Sequence, residues 1–419
     1  MKYVTRVLIV LGVLACGWLG ALMLRAQRGL AEGRRLVERN ALPAAHRELD
    51  RYLWLHPRDP EALLLAAEAL TRDESLPSET AIPQALRLLE RIPDGSPRGA
   101  EARAKQARLL FFVQHKPVAA ERLFLKALEL DPKYIEVRYL LWKLYDLTGR
   151  SDGAEELFWS LYPQTPERDR PALMREWYMS QFFPATANPL MDVLMGFSSP
   201  DKPYQLNPEY VRLKEHRDSE PDEPLNHAAL ARWFQHDGDH GTALQLLELG
   251  LSIEGADREP YLLSVLLASL FERGELDRAR EYFEKWPEPH TGYDWWKWKA
   301  MLADEDQRDY EQAIEAYDRC LASWPGPVDW RTMNRRANCL ARLRRADEAE
   351  QAREQAKKIE VQMEVEVHQA LRQALADSNL RDPSQLRKVQ DFYRILGRDR
   401  EVECWQAVID SSEKQAAGN

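Results

Sequence analysis

Ala120-Glu-Arg-Leu-Phe124-Leu-Lys-Ala127-Leu-Glu-Leu-Asp-Pro132 is the stretch on which the reading of this chain turns. A small residue is followed by a large one four positions on, a small one at seven and a proline at twelve. Offsets of four and seven put the three side chains on one helix face. The alanines let a neighbouring helix come close, and the phenylalanine fills the space between. The proline has no N–H to donate and clashes with the preceding turn, so it closes the helix.

The same figure recurs up and down the chain. One period of about 34 residues later it reads Ala154, Phe158, Leu161, Pro166. Upstream it reads Ala45, Leu49, Tyr52, Pro57 and then Ala85, Leu89, Ile92, Pro97. Downstream come Ala243, Leu247 and Gly250, then Ala279, Phe283 and Trp286. Ala313, Tyr317, Cys320 and Pro325 follow, and then Ala349 with Ala356 and a weak Val402 with Ile409. Five residues before several of these positions stands a glycine (Gly149, Gly238, Gly274, Gly397), suited to a turn with positive φ. Ahead of each turn lies another amphipathic stretch, such as Val137–Tyr145 or Leu262–Leu270. Each unit therefore reads as helix, turn, helix.

Two helices in about 34 residues, with small–large–small spacing and a closing proline, resemble the tetratricopeptide repeat. The best copies are residues 104–134, 135–168, 259–290 and 294–327, and the likeness covers most of residues 30–413. The resemblance implies an all-α, right-handed superhelical solenoid of about eight to nine repeats, whose first helices line a concave wall that holds peptides or partner helices. Such an array grows by stacking units rather than by adding a globular core.

The pattern breaks between Ala154 and Ala243. That gap holds Pro184, Pro189, Pro200, Pro203, Pro208, Pro221 and Pro224. Arg170–Phe183 reads as one helix, Asn188–Met195 as a short second, and residues 196–224 as an irregular connection, either a hinge or a functional loop. From Ala346 to Ser378 there is neither Gly nor Pro, which predicts one long helix or two nearly continuous ones. The expected divisions are a tail (1–6), an apolar anchor (7–24), an N-terminal array (30–168), the Pro-rich connection (169–224), a C-terminal array (225–360), terminal helices with a degenerate repeat (361–413) and a disordered tail (414–419).

The run from Val7 to Leu24 is apolar and uncharged, preceded by Lys2 and Arg6 and closed by Arg25 and Arg28. Spanning a bilayer takes about 20 such residues. The expectation is one retained transmembrane helix, making a single-pass protein of a bacterial-type inner membrane with the solenoid on the extracytoplasmic side. A cleaved signal peptide and a lipidated Cys16 are the alternatives.

Net charge is −10. Residues 1–35 carry +5, so the rest of the chain carries −15. That balance disfavours nucleic acid as a partner of the body. Four cysteines without a C-x-x-C pair argue against a disulfide framework and for small buried side chains. There is no phosphate-binding glycine loop and no hydrolase or zinc-protease motif. His236-Asp-Gly-Asp-His240 is the one metal-like cluster, and it falls where a turn belongs. No catalytic residue, cofactor, metal or small-molecule substrate is expected.

One first helix stands out. Arg331, Asn334, Arg335, Asn338 and Arg342 lie on one stripe, with Trp295 and Trp298 at similar phases in the unit before. Guanidinium and amide groups fork onto carboxylates and peptide bonds, and tryptophan offers a stacking wall. These seven are the candidate peptide-binding residues, for an acidic segment or chain terminus of a protein partner. The plain alternative is that the arginines are solvated and the tryptophans are core. The functional expectation is a membrane-anchored scaffold or adaptor. The alternatives are an envelope-assembly or chaperone-like factor holding client proteins and, with no residue in its favour, an enzyme sited in residues 165–224.

Overall fold

A computed structural model describes residues 29–182, 208–376 and 379–417. All regular structure among them is helical. They fall into two compact units that divide between Val137 and Arg138.

The first unit opens with helical residues 29–38. It continues with α1 (Leu42–Leu55), α2 (Pro60–Arg72), α3 (Ser78–Glu90), α4 (Gly99–Phe112) and α5 (Pro117–Leu130). Helix α6 (Ile135–Thr148) runs across the division. Prolines open α2 and α5, where a missing N–H costs nothing. Asp59 caps α2 by accepting from the amides of Glu61 and Ala62. The repeated small–large–small faces form the core: Ala45, Leu49, Ala85, Leu89, Ala120 and Phe124 are each at most 1% exposed.

The second unit holds the rest of α6, then α7 (Ser151–Leu161), α8 (Arg170–Phe182) and α9 (Pro208–Ser219). Hairpins follow: α10 (Pro224–Asp237) with α11 (His240–Leu251), and α12 (Pro260–Glu272) with α13 (Leu276–Glu284). Helix α14 (Gly292–Met301) passes through a π-helical turn, Leu302–Gln307, to α15 (Tyr310–Ala322). Then come α16 (Trp330–Arg342), α17 (Ala346–Gln362), α18 (Val365–Ala374), α19 (Pro383–Ile395) and α20 (Asp399–Ala417). The Gly- and Pro-free stretch is thus two nearly continuous helices, α17 and α18. Ala243, Leu247, Ala313, Tyr317, Cys320, Ala349 and Ala356 are fully buried, as their spacing requires.

Two expectations change. The connection at 196–224 was expected to be irregular, yet its described part contains α9; Pro208 at the start and Pro221 beyond the end delimit a helix rather than break one. The short helix expected at Asn188–Met195 lies outside the described residues. The second correction concerns the membrane. Among the described residues no helix is long and apolar enough to cross a bilayer. The single-pass placement is therefore withdrawn, and the run 7–24 on which it was read lies outside the described residues.

The second unit departs from an open stack in one respect. Its first helices and its last share one core. Trp142 of α6, Phe158 of α7 and Trp177 and Tyr178 of α8 join Leu371, Phe392, Tyr393, Trp405 and Ile409 of α18–α20 in a continuous buried cluster. Phe158 and Trp177 stack with ring centres 4.2 Å apart and planes 7° from parallel. Polar links run through it. Tyr178 Oη and His368 Nδ1 are 2.7 Å apart. Tyr393 Oη donates to Gln181 Oε1 at 2.6 Å. Arg398 bridges Glu155 of α7 to Glu401 of α20.

Candidate interaction surface

The stripe on α16 is set up by its N-cap. Asp329 accepts from the Thr332 amide at 3.0 Å, and takes a further bond from the Tyr293 hydroxyl. Lys297 pairs with it at 3.4 Å. Burial pushes the Asp329 carboxyl up, but Lys297, Thr332 and Tyr293 together hold it below the usual range.

Along the helix, Arg331 and Asn338 are exposed and Asn334 is half-buried. The Arg331 guanidinium lies 5.3 Å from the centre of the neighbouring Trp330 ring. Arg335 is ion-paired to Glu305 of the π-helical turn. Arg342 donates to the Tyr310 hydroxyl at 2.6 Å. Trp295 and Trp298 sit differently. Trp295 is 8% exposed and stacks on His290, rings 5.0 Å apart and 8° from parallel. Trp298 is 5% exposed, donates its indole N–H to Ser264 Oγ at 3.0 Å and stacks on Phe271. The structure thus keeps the polar residues on one face and takes both tryptophans into the packing between repeats.

The histidine-rich turn behaves as a turn. Gly238 takes positive φ at the end of α10, and Asp239 caps α11 through the Thr242 amide. Cys320 and Cys339 are buried and free, and Cys404 is partly buried.

Sequence reasoning missed the loop between α6 and α7, which reads as an ordinary repeat turn. In the structure it meets Arg232 of α10, Tyr261 of α12 and the start of α14. Arg232 donates to the Gly149 carbonyl at 2.7 Å. The Tyr293 amide, at the start of α14, donates to Asp152 Oδ2 at 3.2 Å. Two cavities flank this contact. The outer one, about 320 Å³, is lined by Asp152, Arg232, Tyr261, Trp286 and Asp294 among others. The inner one, about 170 Å³, is lined by Asp146, Ser180, Gln181, Arg232, His236 and Trp324 among others.

Electrostatics in both are strained. Burial pushes the Asp146 carboxyl up to about 7, against Lys143 and the Ser180 hydroxyl, which donates to it at 3.0 Å. Asp152, though its side chain is exposed, is also pushed up to about 7, by the protein packed around it first and then by the charge of Asp294. The surrounding protein, with Arg232 and Lys297 nearby, pulls the His236 imidazole below its usual range, although part of the residue is exposed. No signal in the sequence marks Asp146 or Asp152, because the loop meets its partners only after the repeats have stacked.

Comparison with known proteins is consistent with the repeat. The family model described as tetratricopeptide repeat matches residues 301–359, covering α15, α16 and most of α17. Over these residues the repeat is similar to the tetratricopeptide kind. No curated protein matches the chain. Among solved structures, the Cut9–Hcn1 hetero-tetramer of the APC/C is similar at 13% identity, over 92% of this chain and 76% of that one, with a TM-score of 0.37. A tetratricopeptide repeat protein from Parabacteroides merdae is similar at 11% identity, over 75% and 99%, with a TM-score of 0.27. The yeast Sti1 TPR2AB domain, solved with an HSP90 peptide, is similar at 12% identity, over 70% and 98%, with a TM-score of 0.24.

Proposed function

We propose that this chain is a protein-interaction scaffold or adaptor that holds partner peptides or helices on the first-helix faces of its repeats. The observation that carries the reading is the division of labour between α16 and its neighbours. Second helices such as α15 and α17 bury their small–large–small faces in the core, while α16 keeps a stripe of polar side chains outside it. Helices that pack on neighbours along one face leave another for guests.

The α16 stripe is the contact we assign to an acidic segment or chain terminus. Arg331, Asn334 and Asn338 offer donors directly. Arg335 and Arg342 already hold Glu305 and Tyr310, so a guest carboxylate would exchange with these groups. Trp298 fixes α14 against α12 through Ser264 and Phe271, and Trp295 packs on Phe283 and His290.

The test is binding of acidic peptides to the full chain by fluorescence anisotropy, with Arg331→Glu/Arg342→Glu beside the wild type. Both substituted positions are exposed, so the fold is expected to survive. Charge reversal should weaken binding about tenfold or more, and added salt should weaken the wild type in the same direction. Equal affinity in the two proteins removes the stripe.

A further inference from the structure

The outer cavity of the second unit carries complementary groups that its own contacts leave unspent. Tyr261 is 6% exposed, and its hydroxyl has Arg232 as a neighbouring donor but no acceptor for its own proton. Arg232 stands beside it, both reaching to within 3.0 Å of the point where a Gly149 side chain would begin. Arginine has donors only, so it offers the phenol proton no acceptor. A buried hydroxyl in that condition is costly unless something arrives to accept from it.

The carboxylates of the same cavity ask for a donor. Asp152 gives one oxygen to the Tyr293 amide, and Gly292 allows the approach, since a side chain there would collide with the carboxylate. Asp294 lines the same cavity and makes no hydrogen bond or ion pair among the described residues. Asp294 and Glu155 both repel the charge on Asp152. The cations nearby are committed: Arg232 to the Gly149 carbonyl, Arg150 to Thr148 and the Tyr145 ring, Lys297 to Asp329. Trp286 adds an aromatic face to the lining.

A ligand that fits must carry a cationic donor and, a bond or two away, an acceptor. We propose that this cavity binds the amino-terminal residue of a partner polypeptide, its ammonium held by Asp152 and Asp294 and its first carbonyl by the Tyr261 hydroxyl. A lysine side chain would satisfy the carboxylates but brings no carbonyl beside its ammonium. The inference rests on the scaffold reading and adds a second contact, distinct from the α16 stripe.

The experiment is calorimetric titration of the full chain with a mixed tripeptide pool, free and N-acetylated. The free pool should bind, and acetylation should weaken it about tenfold or more, because the charge-assisted bonds are lost. Asp294→Asn and Tyr261→Phe should each weaken the free pool, with melting curves confirming that both variants fold. Equal binding of free and acetylated pools overturns the amino-terminal site while leaving the scaffold reading standing. Binding of an acetylated lysine-containing pool as tight as the free pool overturns it in favour of a side-chain site. No heat with either pool overturns it as well, and the scaffold reading is then judged by the α16 experiment alone.

Discussion

Trp177 on α8 donates its indole N–H to Glu401 on α20 at 3.2 Å, across 224 positions of sequence. Glu401 is 1% exposed and also accepts from Gln181 and Arg398. One carboxylate thereby ties the opening helices of the second unit to its closing ones. Removing it leaves Arg398 held by Glu155 and strands the Trp177 indole N–H and the Gln181 amide. Glu401→Ala should cost about 1–3 kcal/mol, as for other buried donors left without an acceptor. Glu401→Gln keeps an acceptor for Trp177 and should cost less. Urea unfolding of the three proteins ranks them; equal midpoints would mean that the link carries no stability.

His368, 3% exposed against Tyr178, gives the same junction a pH dependence. Burial lowers its pKa from 6.5 to about 4. The unfolded chain therefore takes up a proton at higher pH than the folded one. The stability this group contributes is present in full above pH 6.5 and is lost as pH falls towards about 4. Asp146, with its pKa raised, acts in the opposite sense, so the comparison must be made against a variant. Between pH 7 and 4, the wild type should lose more stability than His368→Gln. Parallel pH profiles would exclude the assignment.

Two glycines separate backbone strain from loop seating. Gly149 and Gly238 both adopt positive φ, 76° and 85°. A side chain at Gly238 meets nothing within 4 Å, whereas one at Gly149 would come within 2.7 Å of Arg232 Nη1. Gly238→Ala should cost only the left-handed strain, about 1–2 kcal/mol. Gly149→Ala should cost that plus the displaced charged hydrogen bond, about 1.5–3 kcal/mol more. Denaturation midpoints give the difference directly, and a null difference would unseat the loop.

Phe124, the fully buried large residue of the stretch that defines the repeat, tests the core itself. Phe124→Ala should destabilise by about 3–5 kcal/mol, read from urea unfolding, while Leu125→Ala on the exposed side of the same helix should be close to neutral. Similar effects at both positions would contradict the assigned face.

The sequence made the helix pairs readable because their information is local. Ala, Phe and Ala at offsets of four and seven report one helix face whatever the chain does elsewhere. The tryptophans of α14 were harder, since position on a helix stripe does not say whether the stripe meets a groove or a neighbour; Phe271 and His290 decide that, and they come from other turns. The junction of α8 with α18 and α20 was not readable at all. Its partners lie about 200 positions apart, and each side looks like ordinary repeat core. One hint existed: α8 buries Leu173, Met174, Trp177, Tyr178, Ser180 and Gln181, more than one face can carry, and a helix covered all round sits inside something.

The shared core of α6–α8 and α18–α20 bears on how this chain can change over evolution. A linear stack gains or loses a unit at its end with little penalty, because the newcomer touches one neighbour. Where the first helices are themselves the cap for the last, an added or deleted hairpin would shift every partner at the seam out of register. Duplication, the ordinary way such proteins lengthen, is closed to this half of the molecule, and its repeat number is set by the fit of its two ends.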